Sequence, residues 1–180
     1  MAPLFFTHEK EVISMRVAGI DGSTTSTGIS IMNDGVLEYY TLINLTSEKK
    51  DAMKRVRHMM MSIYDVLEQY ELDAVYMEKA FNKSNTDTTM KLANLAGSVM
   101  IYCERRDIPF YHPEPSVWRA KIGIHTGRGV KREVLKAEAI KLVKDEYGIN
   151  ANDDVSESIL IARSAFDLPK LDITEDDLWS

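Results

Sequence analysis

Apolar positions follow two rhythms along this chain. Short β-prone runs cover residues 16–20, 28–32 and 36–43, and Asn33-Asp34-Gly35, a hairpin signal, separates the last two. From residue 51 to 70 the spacing changes: Met53, Val56, Met60, Ile63, Leu67 and Tyr70 recur every three or four positions, which predicts an amphipathic helix. Residues 73–77 return to strand character and end at Glu78. Residues 86–106 read as a second helix, capped by Thr or Asp, with Leu92, Leu95, Val99 and Tyr102 inward. A short strand at 108–111 is closed by His112-Pro113-Glu114-Pro115. A helical turn at 116–122 and a glycine-bearing basic loop at 123–132 follow. Leu135, Ala139 and Leu142 mark a helix over 131–147, and Val155, Ile159, Ala162 and Phe166 give the last helix, 153–166, one apolar stripe. Three strands in meander order, then helix, strand, helix, strand and helices, describe a mixed five-stranded α/β sheet flanked by helices on both faces. The folded unit spans 16–167, after an N-terminal extension over 1–15 and before an acidic, flexible tail over 168–180.

The 180 residues, 44% of them hydrophobic, suit one domain with a real core. The single Cys103 excludes a disulfide framework within the chain and suits a reducing compartment, so a cytoplasmic protein is expected. No stretch approaches the roughly 18 unbroken apolar residues of a membrane span, and no membrane partner is expected. The net charge of −6 conceals a strong asymmetry: residues 79–144 carry net +7 and residues 145–180 net −8. A basic middle is the footprint expected of a phosphate backbone, although a solvated Lys/Arg surface gives the same count.

The chemistry concentrates in carboxylates. Asp21 and Glu78 each directly follow an apolar strand, where ligand sites of open α/β sheets gather. Asp154 and Glu157 stand three apart on the last helix and share one face, opposite its apolar stripe. Taken singly each is ordinary: a turn aspartate, a strand end, an N-cap with favourable dipole placement. As a set in a partly dry site they call for cation charge, and oxygen-only ligands suit Mg²⁺ or Mn²⁺ better than zinc. Cys103 reads as core, Trp118 as structural, and His8, His58, His112 and His125 lack metal-pair spacing, although His125 lies in the basic loop.

These segments resemble the RuvC family of Holliday-junction resolvases, on the ribonuclease-H-like fold, and in particular its phage and viral branch. "GIDGSTTSTGISI" resembles that family's opening strand and aspartate, "DAVYMEKAF" its acidic strand end and aromatic, and "NDDVSESILIA" its closing acidic helix. The likeness covers about residues 16–166. It implies a homodimeric endodeoxyribonuclease that cuts four-way DNA junctions by paired nicks, using two divalent cations, and leaves 5′-phosphate and 3′-hydroxyl ends. Asp21, Glu78, Asp154 and Glu157 match the four metal-binding acids, with Asp153 as an alternative register for Asp154. Lys131 falls where the family places a basic residue near the scissile phosphate, and Arg128, Arg132 or Lys136 can serve instead. Phe81 matches an aromatic that stacks on a base, with core packing as its other reading. Lys79, Lys83, Lys91, Arg119, Lys121, Arg128, Lys131, Arg132 and Lys136 are the further candidates for DNA contact. Gly22 stands where the family often has proline, and Glu157 replaces the commoner aspartate. The helix over 86–106, with Ala93, Ala96, Gly97 and Met100, is the expected dimer face, and the acidic tail a candidate site for a protein partner.

Three other readings stay in view. A flap or general branched-DNA endonuclease would use the same acids. A non-catalytic DNA-binding recombination factor would not need them. "GIDGSTTSTG" also resembles the first phosphate loop of the actin, Hsp70 and sugar-kinase superfamily, yet this chain offers neither a second such loop nor the length for a second lobe.

Overall fold

The computed structural model describes residues 14–47, 51–79, 85–124, 127 and 129–167. Five strands form one sheet in the order β3-β2-β1-β4-β5. β1 (Arg16–Asp21), β2 (Ser26–Asn33) and β3 (Val36–Asn44) make the antiparallel meander, and β4 (Ala74–Met77) and β5 (Phe110–Tyr111) add in parallel beyond β1. Asn33 pairs with Val36 across a two-residue turn in which Asp34 and Gly35 have φ of 50° and 80°, as a hairpin matched to strand twist requires.

Helices α1 (Ala52–Leu67) and α2 (Thr86–Glu104) cover one face. Ala18 and Ile20 of β1, Ile29 and Ile31 of β2, and Val75 and Met77 of β4 meet them there, together with Met59, Ile63, Leu95 and Val99. Asp51 caps α1 by accepting from the Lys54 backbone N–H at 2.9 Å. The cap of α2 is Asn85, which accepts from the Thr88 N–H at 3.0 Å, in place of the Thr or Asp expected.

On the other face α3 (Pro115–Ile122), α4 (Arg132–Tyr147) and α5 (Asp153–Arg163) pack around Trp118, Ile124, Leu160 and Ile161. Here three expectations change. The turn at 116–122 is a full helix, entered through Pro115 and ended by Gly123 at φ 100°. Lys131 is the N-cap of α4 and lies outside the helix. α5 has no solvent-facing side behind its stripe: every residue from Val155 to Arg163 is buried, Ser156, Glu157 and Ser158 included. A helix lying directly on the sheet and covered by α3 and α4 must bury its whole circumference, and small side chains make that possible. Among the described residues no helix is long and apolar enough to cross a membrane.

Candidate active site

The two-residue period of the strands selects the face on which each acid appears. With Ala18 and Ile20 turned towards α1 and α2, Gly19 and Asp21 face α5; with Val75 and Met77 turned the same way, Tyr76 and Glu78 also face α5. β1 and β4 run in parallel with Ile20 beside Met77, and the Glu78 N–H donates to the Ile20 carbonyl at 3.0 Å, so the two acids emerge together at the carboxyl end of the sheet.

The third and fourth acids depend on how closely α5 approaches. A Cβ on Gly28 would overlap the backbone carbonyl of Asp154 and stand 2.8 Å from the Val155 nitrogen; one on Gly19 would stand 2.5 Å from the Ala162 nitrogen. Both positions therefore need glycine, and the Ser30 hydroxyl adds a bond to the Ser158 carbonyl at 2.9 Å. Asn152 starts the helix by accepting from the Val155 N–H at 3.1 Å. This seating carries Asp154 and Glu157 to Asp21 and Glu78, and all four line one open pocket of about 840 Å³.

Three of the acids already have partners. The Ser26 hydroxyl donates to Asp154 Oδ2. The Trp118 indole N–H donates to Glu78 Oε2 at 2.6 Å. Arg119 Nη2 bonds Glu157 Oε1 and lies 3.6 Å from Glu78 Oε2. Burial, reinforced by the charges of Glu157, Glu78 and Asp154, pushes the Asp21 carboxyl well above the usual aspartate range. Burial also raises Glu78; Arg119 and the Trp118 N–H oppose that rise, and Glu157 adds to it. Asp153 behaves differently, because the bond and charge of Lys136 outweigh its burial and hold it below the ordinary value.

An all-oxygen set of mutually repelling carboxylates fits a hard divalent cation. Yet among the described residues no three Asp, Glu, His or Cys side chains stand close enough to enclose one ion. The acids share a pocket while leaning towards Ser26, Trp118 and Arg119. The 22–27 segment satisfies part of its own backbone: the Ser23 N–H donates to Thr27 Oγ1 at 3.0 Å, and the Thr25 and Ser26 N–H groups to Ser23 Oγ at 3.2 and 3.4 Å. Three backbone donors that a phosphate cradle would need are thus engaged, which disfavours the nucleotide reading.

The family model of the crossover junction endodeoxyribonuclease RuvC matches residues 17–162, from β1 through α5. The chain belongs to the RuvC family. The RuvC of Ehrlichia chaffeensis is 26% identical over 153 residues, covering 82% of this chain and 94% of that protein. The RuvC of Nocardia farcinica is 31% identical over 120 residues, covering 64% of this chain and 61% of its own length. The Thermus thermophilus RuvC, solved in complex with a Holliday junction substrate, superposes with a TM-score of 0.63 over 83% of this chain and 91% of its own, at 18% identity, and shares the fold.

Within this RuvC-family fold the basic candidates separate. Lys136, Arg132 and Lys79 line the acid pocket. Lys131 is exposed and does not line it. Arg119 lines the pocket too, but it is only 8% exposed and is held by acids, where the sequence suggested a cation free to meet phosphate. Lys121 donates to the Ser164 carbonyl at 2.8 Å, at the far end of α5 from the acids, and so it is not a contact of this pocket. Phe81, Lys83 and Arg128 lie outside the described residues, as does His125. Of the two neighbouring aspartates, Asp154 acts on Asp21 while Asp153 turns to Lys136. Trp118 is a core residue, as expected, but its polar edge reaches the site. Sequence reasoning gave no role to Gly19 and took Ser26 only as one of the small residues that leave room beside Asp21; the signal for both was the two-residue period that puts them on the face of Asp21.

Proposed function

We propose that this RuvC-family chain is a metal-dependent endonuclease that resolves four-way DNA junctions, with Asp21, Glu78, Asp154 and Glu157 as its metal-binding acids. The observation that carries this reading is the meeting of four carboxylates, drawn from three distant stretches of the sequence, in one pocket with Lys79, Arg132 and Lys136 on its wall. The acids are suited to hold one or two Mg²⁺ or Mn²⁺ ions, whose chemistry when bound is to acidify water and neutralise charge at a phosphate. Asp21 sits deepest in the mutual repulsion, and bound cation charge would favour its ionised form. Asp154, oriented by Ser26, and Glu78, oriented by Trp118, present fixed oxygens. Lys136, Arg132 and Lys79 neutralise the phosphates flanking the scissile bond without reading sequence.

A symmetric dimer supports paired nicking, because two copies related by a twofold axis present two equivalent pockets to a pseudo-symmetric junction. α2 supplies the face for it. Met90, Met100 and Ile101 are exposed, Ala93 is exposed between them, and a Cβ on Gly97 would meet nothing within 4 Å.

Cleavage of a four-way junction, a flap, a linear duplex and a single strand in Mg²⁺, by the parent chain and by Asp21→Asn, tests the reading. Paired symmetric nicks confined to the junction, absent in Asp21→Asn while junction binding persists, are expected. Equal cutting of the flap would assign the broader endonuclease, and cutting by Asp21→Asn would overturn the site.

A further inference from the structure

Arg119 is a cation in an unusual place. It is 8% exposed, and its guanidinium bonds Glu157, whose side chain is 4% exposed, while standing 3.6 Å from Glu78. Its Nε is buried without a hydrogen-bond partner. It stacks on its neighbour Trp118 at 4.4 Å, and the Trp118 N–H holds the same Glu78 oxygen that Arg119 approaches. Trp118 and Arg119, consecutive on α3, therefore form a clamp on two of the four acids. Glu157 is long enough to reach it, and an aspartate there would be one methylene short.

We propose that Arg119 is an internal counter-cation of the acid site: it neutralises and holds Glu78 and Glu157 in the ion-free protein, and a divalent cation must draw at least one of them away from it. The proposal rests on reading the four acids as the metal site. It accounts for two facts together. The carboxylates line one pocket, and yet no three of the described acids enclose a single ion. It also accounts for an arginine buried among acids where the other pocket-lining cations, Lys79, Arg132 and Lys136, are exposed or only half-buried. A guanidinium so placed competes with metal for the same oxygens, so ion affinity is weak until something else favours the released state. A DNA phosphate entering the pocket is the group able to do so, since it offers the freed guanidinium a new anion. Arg119 is thus a positioning residue that couples metal uptake to substrate.

Mn²⁺ alone, titrated without DNA into the full chain and followed by electron paramagnetic resonance, tests this. Removing a cation from beside two buried carboxylates strengthens their hold on another cation, so Arg119→Gln is expected to bind Mn²⁺ roughly tenfold more tightly or better. Arg119→Lys, which keeps the charge, should stay within about threefold of the parent. Ion-free Arg119→Gln should melt below the parent, and saturating Mn²⁺ should raise its melting temperature by more. A purely structural arginine predicts the opposite, weaker Mn²⁺ binding in Arg119→Gln. Unchanged or weaker binding in a folded Arg119→Gln overturns the proposal. Should that variant not fold, Glu157→Asp, which keeps the acid but shortens it away from the clamp, carries the test: tighter Mn²⁺ binding supports the counter-cation and no gain overturns it. Mn²⁺ uptake by the parent that Asp21→Asn abolishes, without a gain in Arg119→Gln, removes the counter-cation alone. Parent uptake that Asp21→Asn leaves unchanged removes the metal-site reading with it.

Discussion

Two side chains on the rim of the acid cluster, Trp118 and Ser26, fix carboxylates by single hydrogen bonds, and each can be removed without touching an acid. Trp118→Phe keeps most of the ring's packing and deletes the N–H that favours ionised Glu78. Stability should fall by about 1–3 kcal/mol, the range for a buried acceptor left without its donor. The acid limb of the pH–rate profile for junction cleavage should move to higher pH, because Glu78 then ionises less readily; an unmoved limb would mean that the indole has no part in setting Glu78. Asp21 and Glu78 lead to a second prediction. Both folded-state values lie above the unfolded ones, so between the ordinary carboxylate values, roughly 4, and the raised values the native state binds more protons than the unfolded state. Stability of the chelator-treated protein is therefore fully present below that window and declines as pH rises through it. Added Mg²⁺ should restore stability, more at the upper end of the window than at the lower, and thermal melts across pH with and without EDTA measure both effects.

At the level of the elements, the site depends on how closely α5 lies against β1 and β2. Gly28→Ala forces a methyl into the backbone of Asp154 and Val155, an overpacking that costs about 1–3 kcal/mol or more and shifts the acids away from Asp21. Denaturant melts should register the loss, and cleavage should fall further than stability explains; a variant of parental stability and activity would show that α5 has room to move. Much of this arrangement was legible beforehand. The strand-end acids, the Asp-x-x-Glu spacing and the order of strands and helices each follow from local periodicity. The burial of α5 did not, because a stripe of Val155, Ile159 and Ala162 accounts for one side only, and the contribution of Ser156, Ser158 and Ile161 appears once Gly19 and Gly28 are seen to admit the helix. The burial of Arg119 was hidden for a related reason. This arginine lies in the basic stretch among residues that do face solvent, and the acids that bury it, Glu78 and Glu157, are 41 and 38 positions away in sequence. Lys136 was open to a better reading, since helical spacing from Arg132 puts both on one side of α4.

For the whole molecule, a net charge of −6 coexists with a pocket flanked by Lys79, Arg132 and Lys136, so association with DNA should be local and salt-dependent. Lys136→Gln, which also leaves Asp153 without its partner, should weaken junction binding about equally across sequences and make the slope of log K against log salt shallower by about 1, as measured by fluorescence anisotropy at several salt concentrations. The exposed apolar face of α2 leads to a prediction of assembly. Ile101→Glu should convert the expected dimer to a monomer in light scattering, and a monomer should nick junctions singly instead of in pairs. A dimer that persists would move the interface elsewhere. One consequence concerns the order in which the site comes into being. Asp21 belongs to β1 and Asp154 and Glu157 to α5, and the described elements that enclose α5 all precede it in the chain. A nascent chain therefore carries an incomplete acid set until α5 settles, and the capacity to cut DNA arrives only with the closing of the fold.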